Sequence, residues 1–319
     1  MDLLNFNVIP RLRSECTLLQ SFALLRSNNG MIAFDWLQRA RAEGFAIGAF
    51  NVGNLETFKA IVQAAANKKS PIIIESSPGE THWMGASNIA DIGENFSKEY
   101  GIPIIVNLDH SETLEDCMAA IEAGYGLVHF DGSKFSYEEN VKIAKQVVEA
   151  AHSKGIIVEG EIDRIVGAGS EVHKEMYTVE QIRSGYTDPA KARKFIEETG
   201  VDVFAAFFGN IHGTVPPGGQ PPLDIALLQK VKEIAGTFLS LHGGSGIDES
   251  DIKLAIEMGG INKVNVNTDL RVAFRASLEK TLKDNPDTVA LYKIFPPVIK
   301  SVQQVVERWI DICGSANKV

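Results

Sequence analysis

Eight short apolar runs, separated by longer segments with helical spacing, constrain this chain more than any other feature. They are Phe45–Asn51, Pro71–Ser76, Pro103–Asp109, Gly126–Gly132, Gly155–Ile162, Asp202–Gly209, Phe238–Gly243 and Lys263–Asn267. Each is apolar almost throughout, not alternately apolar and polar. A strand of that kind is buried on both faces, as in a parallel sheet covered by helices. The intervening segments carry helical marks. Leu55, Phe58, Ile61, Val62 and Ala65 share one face. A second segment opens on a Ser136-x-x-Glu139 capping box and closes at Gly155. A third has Asp188 as its cap, Pro189 at the first helical position and Gly200 at its end. Residues 167–187 read as one long loop.

Eight strand–helix units predict an α/β fold, a single-domain (β/α)8 TIM barrel spanning residues 31–319. An open doubly wound sheet is the structural rival. No GxGxxG turn follows the first strand, which favours the barrel. The 319 residues are 45% hydrophobic, enough for one large core. Residues 1–30 stand apart as an N-terminal extension. They lack the basic start, apolar centre and small-residue cleavage site of a secretory signal.

The balance of charge narrows the partners. Against 41 Asp and Glu there are 31 Lys and Arg, a formal net charge of −10. That disfavours a broad surface for nucleic acid or an anionic membrane. No apolar run reaches the roughly 18 residues of a membrane span. Cys16, Cys117 and Cys313 are far apart and form no CxxC pair, which suits a reducing cytoplasm.

In such a barrel the chemistry collects where the strands end. The polar residues of this chain fall there. Asn51 ends the first strand, Ser76 and Ser77 the second, and Asp109 and His110 the third. Asp131 and Ser133 follow the fourth, Glu159 and Glu161 the fifth, and Asn210 and His212 the sixth. His242 ends the seventh, and Asn265, Asn267 and Thr268 the eighth. Three histidines on three strand ends, His110, His212 and His242, suggest a metal with Glu161 as a fourth ligand. The other histidines, His82, His129, His152 and His173, read as structural or surface residues. The run His242–Gly246 lies opposite Asn265–Thr268 and reads as an anion site. Gly243 and Gly244 admit close backbone approach there, and Ser245 and Thr268 add hydroxyl groups. Asn51 and Ser76 complete the candidate substrate-binding set.

From Met31 to about Cys313 the chain resembles the class II, metal-dependent ketose-bisphosphate aldolases. The matching stretches are AFNVGNLE, NLDHSE, FDGSKFSYEEN, VEGEI, YTDPAKARKF, FGNIHG, LHGGSG and KVNVNTDLRVAF, in family order. The resemblance implies that His110, His212 and His242 bind one zinc ion per chain, or another divalent metal. Glu161 matches a glutamate that can join them. Asp109 matches the aspartate that exchanges a proton with the aldehyde oxygen. Gly213, Gly243, Ser245, Asn265, Asn267 and Thr268 match positions that hold the dihydroxyacetone-phosphate end. The family also implies a small sugar-phosphate substrate, a monovalent cation near the phosphate, and a homodimer or homotetramer.

Three positions depart from the family pattern. Asp163 replaces a glycine after the metal glutamate, and the usual acidic pair is out of register. Glu171 is the nearest candidate for the base that deprotonates the ketose phosphate. Asn267 replaces an aspartate. Ile299 stands at or near the arginine that grips the distal phosphate, with Lys300 beside it. The leading expectation is aldol cleavage of a fructose- or tagatose-1,6-bisphosphate-like ketose. A metal-dependent isomerase or hydrolase on the same histidines, or a non-catalytic sugar-phosphate binder, is the alternative.

Overall fold

The computed structural model describes residues 32–165, 173, 177–213, 215–216 and 219–319. Within them lie eight parallel strands that close into a barrel in sequence order, β1 pairing with both β2 and β8. The strands are β1 (Ile47–Asn51), β2 (Ile72–Ser76), β3 (Ile104–Ser111), β4 (Leu127–Asp131), β5 (Ile157–Glu161), β6 (Val203–Ala205), β7 (Phe238–Leu241) and β8 (Ile261–Val266). Each sits inside one of the eight apolar runs except β3 and β8. β3 continues two residues past Asp109, and β8 begins two residues before Lys263.

Helix α1 covers residues 32–43. The outer layer then holds α2 (Leu55–Lys68), α3 (Pro78–Met84), α4 (Ala86–Tyr100), α5 (Leu114–Ala123), α6 (Tyr137–His152), α7 (Val179–Arg183) and α8 (Pro189–Thr199). It finishes with α9 (Ile225–Ala235), α10 (Glu249–Glu257), α11 (Thr268–Asp284) and α12 (Leu291–Cys313). Asp188 caps α8 by accepting the Ala190 and Lys191 amides, and Gly200 ends it in the left-handed conformation. Ser136 caps α6. Leu55 departs from the expected apolar face. It starts the first turn of α2 and is 40% exposed, while Ala60 and Ala64 join the buried side. The predicted loop at 167–187 contains the one-turn helix α7, started by a Thr178–Gln181 capping box.

Strand parity divides the buried residues into two sets. Phe50, Ile72, Ile74, Val106, Leu108, Val128, Phe130, Val158, Phe204 and Leu239 pack against the helices. Ile47, Ile73, Ile105, Leu127, Ile157, Val203 and Phe238 instead fill the lower barrel, and Ala33, Leu37 and Ala40 of α1 plug its floor. Two residues further along six of the eight strands, the inward positions turn polar: Glu75, Asn107, His129, Glu159, Ser240 and Lys263 are all buried, while β1 and β6 place Ala49 and Ala205 there. One step higher come Asn51, Asp109, Asp131, Glu161, His242 and Asn265. The barrel is therefore graded from an apolar floor to an ionisable mouth.

Candidate active site

β3 brings the first two functional side chains to the mouth through an irregularity. Its register with β4 shifts between Leu108 and Ser111. Within the shift His110 adopts φ +49°, a left-handed conformation unusual for a residue with a Cβ. The shift lets Asp109 and His110, adjacent in sequence, both serve the same cavity. Asp109 accepts hydrogen bonds from Asn51 Nδ2 and Asn265 Nδ2, each at 3.1 Å. Burial works against its charge, but His110, His129, His242 and Lys263 outweigh burial and hold it well below the usual carboxylate range.

His110, His212 and His242 meet at the mouth as the sequence predicts. The His110 ring lies 4.7 Å from that of His212 and 4.5 Å from that of His242, centre to centre. Their hydrogen bonds decide which nitrogens are free. His110 Nδ1 lies 3.0 Å from Asp131 Oδ2. An ionised carboxylate only accepts, so Nδ1 carries a proton and Nε2 is the nitrogen left for another partner; against the effect of burial, Asp109 and Asp131 raise this imidazole to about 9. His242 Nε2 lies 2.7 Å from Glu159 Oε1, and by the same reasoning its Nδ1 keeps the lone pair. Burial pushes His242 down to about 3 and holds His212 well below the ordinary imidazole range, so both rings are neutral. His212 Nε2 is sealed from solvent with no hydrogen-bond partner. These donors fit a divalent metal. Two imidazoles donate their second nitrogen to a carboxylate, the arrangement that orients metal-ligating histidines, and a third presents an orphaned nitrogen.

Glu161 stands beside them. Its Oε2 is buried without a hydrogen-bond partner, 3.4 Å from His110 Nδ1. Burial and then the neighbouring Asp131 raise its carboxyl to about 7. Two sets of groups are close enough to share an ion: Asp109, His110, His129 and His242, and His110, Asp131 and Glu161.

One cavity gathers eleven of the predicted residues: Asn51, Asp109, His110, His212, Gly213, His242, Gly243, Ser245, Asn265, Asn267 and Thr268. Asn267 and Thr268 begin α11, so the amide-rich end of a 17-residue helix opens on this cavity. Ser245 Oγ accepts the Asp269 amide there. Gly243, at φ +67°, runs so close to the preceding loop that a Cβ would stand 2.2 Å from the Ile211 carbonyl oxygen. A second cavity of about 460 Å³ continues from Asp109, His110 and His212 toward Asp131, Glu161, Lys134, Arg164 and Arg271.

Three expectations change or fall elsewhere. Ser76 does not reach the cavity. It follows the inward Glu75 on β2, so parity turns it to the helix side, where its hydroxyl meets Tyr125 Oη at 3.1 Å. Glu171 lies outside the described residues. Ile299 packs on the fringe of the core from α12. Sequence reasoning missed Lys263 and placed His129 among structural or surface residues. Both are inward-facing and wholly buried. The available signal was parity: His129 is two residues before the rim residue Asp131, and Lys263 two before Asn265.

The family model described as class II fructose-bisphosphate aldolase matches residues 33–318. The chain belongs to that family. This aldolase is 40% identical over 296 residues to a fructose-bisphosphate aldolase of Streptococcus pneumoniae, covering 89% of this chain and 97% of the relative. It is 35% identical over 283 residues to the D-tagatose-1,6-bisphosphate aldolase subunit GatY of Klebsiella oxytoca, again over 89% and 97%. The crystal structure of the YdjI aldolase from Escherichia coli K12 superposes with a TM-score of 0.76 at 30% identity, covering 90% of this chain and 98% of that one. The aldolase is thus a lyase of a metal-dependent family, and Asp109, His110, His129 and His242 form a cluster able to hold a metal ion. Among the described residues, no helix is long and apolar enough to cross a membrane.

Proposed function

We propose that this aldolase reversibly cleaves a phosphorylated ketose, of the fructose- or tagatose-1,6-bisphosphate kind, into dihydroxyacetone phosphate and an aldehyde. The observation that carries the reading is the meeting of His110, His212 and His242 beside a buried, ionised Asp109 in one cavity. The names of the Streptococcus and Klebsiella relatives support the substrate class. His110, His212 and His242 would hold zinc, and a bound divalent ion supplies Lewis-acid stabilisation of the negative charge that develops as the C–C bond opens.

The chain's own residues do the rest. Asn51 and Asn265 aim the Asp109 carboxylate into the cavity, where it takes the proton of the ketose hydroxyl whose oxygen becomes the aldehyde. In the reverse direction Asp109 returns that proton. Glu171 is the candidate base for the dihydroxyacetone-phosphate carbon. Gly213, Gly243, Ser245, Asn267 and Thr268 offer backbone and hydroxyl donors to the adjoining phosphate at the start of α11, near a monovalent cation. The active unit is a homodimer or homotetramer in the cytoplasm.

The test is cleavage of fructose-1,6-bisphosphate, tagatose-1,6-bisphosphate and fructose 1-phosphate by zinc-loaded protein, with and without EDTA. Cleavage that EDTA abolishes and zinc restores is the expected result. Turnover that resists chelation, or none with any of the three by protein shown to contain zinc, overturns the proposal.

A further inference from the structure

His129 is the one histidine buried at the centre of the site that the proposed reaction does not use. It sits on β4 with no exposed surface, its ring 4.6 Å from that of His110 and 4.9 Å from that of His242. Distance alone makes it a fourth imidazole ligand. Its hydrogen bonding argues otherwise. His129 Nδ1 accepts the backbone N–H of His110 at 3.2 Å. A backbone amide only donates, so in this contact Nδ1 is the acceptor and Nε2 carries the ring proton. A metal-ligating histidine has the opposite arrangement, its second nitrogen donating outward. Here Nδ1 is committed to the His110 amide, and Nε2 faces the Glu161 carboxylate.

The two contacts lead to different parts of the site. The His110 amide belongs to the residue held at φ +49° inside the β3 register shift. In a regular ladder it would be paired along the strand edge; here an imidazole takes its place. The other nitrogen, Nε2, is buried and lies 3.3 Å from Glu161 Oε2. Neither atom makes an aligned hydrogen bond to the other or to any other described residue. Glu161 Oε2 therefore lies between two ring nitrogens, 3.3 Å from His129 Nε2 and 3.4 Å from His110 Nδ1.

We propose that His129 is a positioning residue that holds the His110 turn through Nδ1 and restrains the Glu161 carboxylate through Nε2–H, keeping Glu161 beside the metal but off it. The consequence is specificity of ligation. Three imidazoles would hold the ion, and Glu161 would not add a fourth protein ligand. This inference rests on the metal reading above and adds a residue that the reading does not require.

The two contacts can be separated by substitution. His129→Asn places an amide oxygen near the imidazole Nδ1 and removes the Nε2 donor. His129→Gln places an amide N–H near Nε2 and removes the Nδ1 acceptor. Both are made in the full chain, alone and with Glu161→Gln, and loaded with cobalt(II). The visible absorption of cobalt reports coordination number, and chelator competition reports zinc affinity. With the carboxylate released, His129→Asn lowers the cobalt absorption as a further ligand joins, and this change vanishes in the Glu161→Gln background. His129→Gln keeps the wild-type band shape but weakens zinc binding by about tenfold or more. A cobalt spectrum untouched by His129→Asn, or a change that persists without the Glu161 carboxylate, overturns the restraint of Glu161. Zinc affinity unaltered in His129→Gln overturns the support of His110. Wild-type protein that takes up no cobalt defeats the metal reading itself, and this inference with it.

Discussion

Lys263 Nζ lies 2.8 Å from Glu75 Oε1 and 2.8 Å from Glu159 Oε2, with all three side chains closed off from solvent inside the barrel. The lysine ties β8 to β2 and β5, and its two carboxylates carry the tie outward. Glu75 accepts from Asn107 and Asn265, and Asn265 in turn holds Asp109. Glu159 accepts from Ser240 and His242. One buried cation thus backs both Asp109, the proposed proton-transfer residue, and His242, a proposed metal ligand.

Lys263→Met should leave two buried carboxylates without their cation. Removing one partner from such a network is strongly destabilising, by about 3–5 kcal/mol. Urea denaturation of the variant should show that loss. Stability within 1 kcal/mol or so of wild type would mean the carboxylates find protons or other partners at little expense.

Asp109→Ala should separate metal binding from proton transfer. His110 and His242 keep their orienting carboxylates, Asp131 and Glu159, so zinc stoichiometry should remain that of wild type. The cleavage rate should fall by about 10²–10⁴-fold. Zinc analysis beside kcat decides the matter: loss of metal in proportion to activity would make Asp109 part of the metal site instead.

Gly243→Ala should disturb the phosphate end. The added Cβ would stand 2.2 Å from the Ile211 carbonyl oxygen, and φ +67° adds strain of about 1–3 kcal/mol. The contact is with backbone, so the loop carrying His212 must move. KM for the ketose phosphate should rise at least about tenfold. An unchanged KM would show that this turn does not contact the substrate.

His152 gives a pH dependence remote from the site. Its Nε2 lies 2.8 Å from Asp202 Oδ2, and that hydrogen bond raises the imidazole above its ordinary 6.5. A raised folded pKa contributes stability in full below 6.5 and loses it as pH climbs through the higher folded value. The side chain is 43% exposed, so the effect is that of a surface pair, about 0.2–1 kcal/mol. His152→Gln should therefore destabilise at pH 5.5 and much less at pH 8.5. Equal destabilisation at both values would assign the effect to packing.

Much of this protein was legible in its residues because the relevant signals are local. Continuous apolar runs marked the eight strands, and Asp188, Pro189 and Gly200 marked the ends of α8. Polar residues at the ends of those runs pointed to the cavity that gathers His110, His212, His242 and Asp109. Ser76 was misplaced because a strand end says nothing of which face its last residue takes. Its inward neighbour Glu75 holds the barrel position.

The amino-acid sequence by itself determined the strand–helix alternation, the helix caps and the residues at the mouth, since each depends on neighbours a few positions away. Tertiary structure alone decided what His129 and Lys263 do. Lys263 meets Glu75 and Glu159 across 188 and 104 positions of chain, and only barrel closure brings them within 2.8 Å. His129 faces the His110 amide only because β3 shifts its register against β4. Closure and register are set by packing over the whole molecule, and a run of residues along one strand carries no record of them.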